Sequence, residues 1–203
     1  MDTSIENRIF IYPTDTVWGI GSGIHQSENY QQICKIKKIT PGRPFSLLFS
    51  SLDMICEYIN IPGKFNLAWL QKFFQLETTI CIPEQFIQNK MIPKWIYQGS
   101  DLVGIRCLEL DFFVGLTDLV KGPILSTSLN LTNHNPITNL KDAIEFKNNH
   151  APDAEIWMSN GDPVIPSGHS STVISLDLKG NISTIRKGIW YDSVAAHLGL
   201  LST

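Results

Sequence analysis

Eight short runs rich in β-branched and aromatic residues recur along the chain, at residues 8–12, 45–49, 78–82, 102–107, 123–127, 155–158, 172–176 and 182–186. Each is strand-sized, and most are bounded by Gly, Pro, Asn or Ser, which is the pattern of β-strands rather than of buried helix. Between them, residues 28–38 place Tyr30, Ile33, Cys34 and Lys37 at i, i+3, i+4 and i+7, and residues 140–149 repeat the pattern with Leu140, Ala143, Ile144 and Lys147. Those spacings line one helix face. Strands interleaved with helices predict an α/β fold, a twisted mixed sheet with flanking helices. With no internal repeat and no Pro/Gly/Ser linker, the 203 residues are expected to form one domain, 1–203.

Composition narrows the function classes. Apolar residues make up 43% and charged residues 17%, with a formal net charge of −3. That balance is globular, and it supplies no global field toward nucleic acid or anionic membrane, so any basic site is local. No run approaches the length of a membrane span, and the opening MDTSIENR has no apolar h-region. Cys34, Cys56, Cys81 and Cys107 form no C-x-x-C pair and have no histidine at metal spacing. They read as free thiols, with no metal site, in a reducing, cytoplasmic setting.

Four polar stations fall at strand ends, where α/β folds collect ligand groups. The first is YPTDTVWGIGSG, residues 12–23, in which Thr14, Asp15 and Thr16 offer short oxygens ahead of Gly19, Gly21 and Gly23. The glycines run G-x-G-x-G, and Lys37 or Lys38 stands where a ribose-binding acid belongs, so the stretch is not a dinucleotide fingerprint. It reads either as a capped turn or as a pocket wall. The second is KIKKITPGRPFSLLF, residues 35–49, with Lys35, Lys37, Lys38 and Arg43. A solvated helix end explains the lysines, and a phosphate site with Arg43 as an anion fork explains them as well. The third is GPILSTSLNLT, residues 122–132, where Ser128 and Asn130 share one side of an extended backbone. The fourth pairs SGHSSTVISL with STIRKG, bringing Ser171, a turn histidine at 169, and Arg186 at the end of an apolar strand.

In this order the stations resemble the YrdC-like family, which includes the threonylcarbamoyl-AMP synthases. YPTDTVWGIG is similar to the family's P-T-[ED]-T-x-[YFW]-G-[LIV]-G opening, and VGIRCLE to its arginine strand. GPILSTSLNLT is similar to its S-T-S-A-N-x-S turn, and SSTVISL with TIRKG to its closing motifs. The resemblance implies a YrdC-like (YrdC/RibB-type) fold and an enzyme joining L-threonine, bicarbonate and ATP into threonylcarbamoyl-AMP, with pyrophosphate released and Mg2+ accompanying the nucleotide. Such a product serves tRNA threonylcarbamoyladenosine modification. Carried over by position, Thr16, Arg106, Ser128 and Ser171 fall on the threonine side. Lys37, Arg43, Asn130 and Arg186 fall on the nucleotide side, and Lys37, Arg43, Ser128 and Asn130 would carry catalysis.

The departures are local. Where the family has K-x-R, Lys37 is followed at the arginine position by Ile39, and FFQLETTICIP replaces a W-P-G-P-x-T segment. The first trait, in ICKIKKITPGRPFSLLF, is similar to the YciO-like branch, for which the resemblance implies a catalytically weak protein binding double-stranded RNA or tRNA through its basic cluster. Seven residues precede the first strand, where the family has a helix, and a homodimer is expected to cover the apolar face this leaves.

Overall fold

A computed structural model describes residues 4–42, 45–88, 91–97, 100–161 and 163–199. Its frame is one nine-stranded mixed sheet with the order β7-β1-β2-β6-β3-β5-β4-β8-β9. The strands are β1 Phe10–Tyr12, β2 Gly19–Gly23, β3 Ser46–Phe49, β4 Thr78–Pro83, β5 Leu102–Cys107, β6 Ile124–Ser128, β7 Glu155–Ile156, β8 Thr172–Leu176 and β9 Ile182–Arg186. β3 with β5, β4 with β8 and β1 with β7 pair parallel, while the other neighbours run antiparallel. All eight expected runs contain strands, although the sixth, at residues 155–158, is confined to the two residues of β7.

The helices are α1 Ser27–Lys37, α2 Leu52–Tyr58, α3 Leu67–Phe74, α4 Asp111–Val120, α5 Leu140–His150 and α6 Tyr191–His197. Alternation along the strands splits the core. Ile9, Ile11, Ile20, Leu47, Phe49 and Ile105 face the larger cluster, which receives Ile33 of α1, Ile55 of α2, Phe73 of α3, Phe146 of α5 and Val194 of α6. Phe10, Tyr12, Leu48 and Ile124 face the opposite side, where Phe113 and Leu116 of α4 close over them. Central strands buried on both faces need helices on both, as in other α/β layers.

β2 is the strand that periodicity did not reveal. Its sequence, GIGSG, is unfavourable for a strand because glycine is entropically costly and packs nothing. Here the space is already filled. A Cβ at Gly21 would lie 2.5 Å from the Leu125 carbonyl oxygen and 2.6 Å from Tyr12 Oη, and one at Gly19 would lie 2.8 Å from Tyr12 Cε2. The fully buried Tyr12 ring thus occupies the side that β2 leaves empty, and its Oη donates to Ser126 Oγ at 2.6 Å. The two glycines are a steric requirement of that ring.

Four helices had no sequence expectation. α3 reads LAWLQKFF, apolar almost all round, so no stripe stands out. Its cap was the available signal, since Asn66 Oδ1 accepts from Trp69 N at 2.9 Å, just as Ser51 Oγ accepts from Met54 N at 3.1 Å before α2. No described helix is long and apolar enough to cross a membrane.

Candidate functional site

The four stations converge. Thr16, Lys37, Arg106, Ser128, Asn130, Ser171 and Arg186 all line one cavity of about 410 Å³, beside Ile39. Arg43 lies outside the described residues.

The first wall is the β1–β2 turn. Thr14 Oγ1 donates to the Val17 carbonyl at 2.6 Å and accepts from the amides of Thr16 and Val17, both at 3.2 Å. This side-chain turn fixes Thr16, 2% exposed, against the cavity. The carbonyls of Asp15 and Thr16 accept from Ser167 N and Gly168 N, each at 2.8 Å, which straps residues 163–171 across the turn. YPTDTVWGIGSG is thus both a side-chain-capped turn and a wall of the cavity, and its last five residues form a strand.

The second wall is the end of α1, and here the lysines part company. Lys38 takes φ 55°, and the Lys38 and Ile39 amides donate back to Lys35 O at 3.1 Å and Cys34 O at 3.0 Å. This Schellman turn stops the helix, leaves Lys35 and Lys38 exposed, and sets Ile39 half-buried at the cavity. Lys37, on the inward face, is only 5% exposed, so the solvated-end reading describes Lys35 and Lys38 but not Lys37. Its Nζ donates to Ser128 O at 2.5 Å, Asn130 O at 2.8 Å and Asn130 Oδ1 at 2.8 Å. In return Lys37 O accepts from Thr132 N at 3.3 Å and Thr132 Oγ1 at 2.8 Å. Five hydrogen bonds thus stitch α1 to the turn after β6. Ser128 Oγ also donates to Asn130 Oδ1 at 2.8 Å, so these two do share a side as their spacing predicts.

The third wall carries the arginines. Arg106, 7% exposed on β5, forms an ion pair with Asp15 through Nη2 and Oδ1. Burial raises the Asp15 pKa, Arg106 pulls it back down, and Glu77 raises it further. At the end of edge strand β9, Arg186 is exposed on its outer side rather than buried, because among the described residues no strand pairs beyond β9. Its guanidinium still turns inward, with Nε donating to Ser171 O and Nη2 to Ser171 Oγ, both at 3.0 Å. Partial burial and the like charge of Arg106 both lower the Arg186 pKa. Thr79 Oγ1 lies 3.1 Å from Ser171 Oγ and completes this corner.

Sequence reasoning had offered Asp15 only as one of three short oxygens in the opening turn, without its arginine partner, and had assigned no role to Thr79 or Thr132. Asp15 was signalled by its place between two threonines of the opening motif, whereas Thr79 and Thr132 sit in strand and turn contexts with no local mark. Cys81 also lines the cavity, its thiol pushed up to about 11 by burial. Among the described lining residues there is no carboxylate, and no group of three or more His, Cys, Asp or Glu is arranged to hold a metal.

A family model for Sua5, YciO and YrdC proteins, described as "Telomere recombination", matches residues 5–188. The threonylcarbamoyl-AMP synthase of Hydrogenovibrio crunogenus is 25% identical over 138 residues, covering 67% of this chain and 73% of its own. Among solved structures, Pyrococcus abyssi Sua5 complexed with L-threonine superposes with a TM-score of 0.76 at 20% identity, covering 97% of this chain. This chain spans 55% of that protein's length. Escherichia coli YciO superposes with a TM-score of 0.71 at 19% identity, covering 91% of this chain and 84% of its own.

Proposed function

Because the chain belongs to the Sua5–YciO–YrdC family, we propose that its cavity performs chemistry of the threonylcarbamoyl-AMP synthase type. L-threonine, bicarbonate and ATP would yield threonylcarbamoyl-AMP and pyrophosphate, for tRNA threonylcarbamoyladenosine modification. The observation that carries this reading is the gathering of Thr16, Lys37, Arg106, Ser128, Asn130, Ser171 and Arg186 around one cavity.

In this mechanism Arg106 exchanges the Asp15 carboxylate for that of threonine, an ion-pair swap that keeps a buried guanidinium partnered throughout. The Thr16 and Ser171 hydroxyls flank the amino acid. Threonine's nitrogen takes up bicarbonate with loss of water, and the carbamate oxygen attacks the α-phosphorus. The bond to the bridging oxygen of pyrophosphate breaks. Arg186, held by Ser171 at 3.0 Å, stabilises charge on the phosphoryl oxygens, where preorganised donors contribute most. Lys37 keeps the Ser128–Asn130 turn in register. With no carboxylate in the described lining, magnesium would arrive with the phosphates, keeping most of its water ligands.

Pyrophosphate release with all substrates present tests the reading, on wild type beside Ile39→Arg. Turnover above a heat-killed control is expected, with a gain in the variant, which adds a cation beside Lys37. No turnover in either protein at high enzyme concentration would overturn it. The RNA-binding alternative is less well supported, since burial of Lys37 leaves Lys35 and Lys38 as the exposed cations of that cluster among the described residues.

A further inference from the structure

The sheet face that carries the cavity runs on past it. Side chains two apart on a strand share a face, and Thr79 and Cys81 line the cavity while Pro83 does not. Pro83, with Leu102 of β5 and Ser175 of β8, belongs instead to a second cavity of about 1030 Å³ at the opposite strand ends. The 3-10 turns Glu84–Phe86 and Lys94–Ile96 and the β8–β9 turn wall it.

Its charge reverses that of the first cavity. The described lining there holds three cations and no carboxylate, whereas here Glu84, Asp101 and Asp177 stand against Lys94. Among the described residues the ion pairs are Arg8–Glu155 and Arg106–Asp15, so Lys94 neutralises none of the three. Asp177 accepts from Asn181 Nδ2 at 2.7 Å and from the amides of Asn181 and Lys179 at 2.8 Å, and these bonds hold its pKa low.

Acidic residues alone would be a solvated rim. Tyr97 adds an observation of another kind, for it is only 9% exposed and its ring packs in the larger core cluster. Its hydroxyl makes no hydrogen bond among the described residues. Because no side-chain nitrogen or oxygen sealed from solvent lacks a partner among those residues, this hydroxyl opens into the space Tyr97 lines, which is the second cavity. Burial raises the Tyr97 pKa and the charge of Glu84 raises it further, which sets that carboxylate near the phenol.

No group of three or more His, Cys, Asp or Glu among the described residues is arranged to hold a metal, so the carboxylates do not converge on a point charge. They stand on separate elements, and Leu102, Leu176 and Leu178 line the same space. Dispersed acceptors beside hydrocarbon suit ammonium groups spaced along a methylene chain.

We propose that this second cavity binds a linear polyamine, whose ammonium groups donate to Glu84, Asp101 and the Tyr97 hydroxyl oxygen while its methylenes lie along the leucines. Asp177 contributes charge, its oxygens being engaged within the turn. Nucleotides and RNA, as polyanions, are repelled here.

Isothermal titration with spermidine, at low and at moderate salt, tests the proposal. One-to-one binding is expected, with affinity falling as salt rises. Tyr97→Phe, which keeps the ring, and Asp101→Asn should each weaken it about tenfold, as loss of one bond to a charged group does. Magnesium at equal ionic strength should displace little spermidine. Absence of binding, or unchanged affinity in either folded variant, would overturn the proposal. Full displacement by magnesium would overturn it too, by reducing the effect to a diffuse counter-ion layer. Asp101 is exposed, so Asp101→Asn decides the matter should Tyr97→Phe fail to fold.

Discussion

Replacing Lys37 with methionine separates an architectural lysine from a ligand-binding one. Methionine keeps the stem volume and helix propensity while deleting the ammonium, so Asn130 O loses the Lys37 donor, while Ser128 O and Asn130 Oδ1 lose it but keep Asn130 N and Ser128 Oγ respectively. Hydrogen bonds to a charged group contribute about 1.5–3 kcal/mol each, and the three here share one cation, so their effects do not add. Two terms reduce the loss. The variant no longer desolvates a charge, and Ser128 and Asn130 are half-exposed, so water can replace part of what is removed. The Thr132 bonds to Lys37 O persist because the acceptor is main chain. We therefore expect a loss of about 2–4 kcal/mol, a large part of the roughly 5–15 kcal/mol typical of a domain. With a urea m-value near 2–3 kcal/mol/M, the midpoint should fall by about 1 M at unchanged m. Lys37→Arg should recover only part of it, because a planar fork does not fit three convergent acceptors. A midpoint shift below about 0.2 M for Lys37→Met, alongside a large loss of nucleotide affinity, would refute the architectural role and assign Lys37 to the ligand.

The Asp15–Arg106 pair carries a pH signature. Because the folded-state pKa of Asp15 is raised from 3.8, the folded protein holds its proton to higher pH than the unfolded chain does. The stability Asp15 contributes is therefore present below 3.8 and lost as pH rises through the raised value. Urea titrations of wild type and Asp15→Asn should show the difference in stability moving against wild type across that window, and a parallel pair of curves would refute it. At the sheet, Gly21→Ala should cost about 1–3 kcal/mol through overpacking against Leu125 O and Tyr12 Oη, whereas Gly63→Ala, with nothing within 4 Å, should change stability little. Equal melting temperatures for the two variants would refute the steric account of β2.

The legible parts of the fold were those whose packing is written locally. Strands β5, β8 and β9 were readable to the residue because β-branched side chains alternate against sheet neighbours. β2 was not, since its reason for being a strand is the Tyr12 ring, seven or more residues upstream of its glycines. α3 and α4 hid because apolar residues also stand on their exposed sides, Leu67 and Ala68 in α3 and Val114 in α4, which blurs the stripe that marks a helix. The site was legible as a set of types and spacings. Its internal pairings were not: that Lys37 turns inward while Lys38 turns out depends on a left-handed residue at the end of α1, and that Arg106 meets Asp15 depends on residues 91 apart in sequence.

The packing of Tyr12 against β2 bears on how such chains can diverge. Gly19 and Gly21 are held by the volume of the fully buried Tyr12 ring, whose hydroxyl reaches the cavity-lining Ser126, so relaxed selection on turnover alone would not release them. A descendant could exchange its ligand, or forfeit catalysis altogether, and still be obliged to spell this part of its opening the same way. The recognisable opening of the sequence is thus in part a fossil of steric fit. The record of what the protein does lies instead in less memorable positions that face the cavity, such as Ile39.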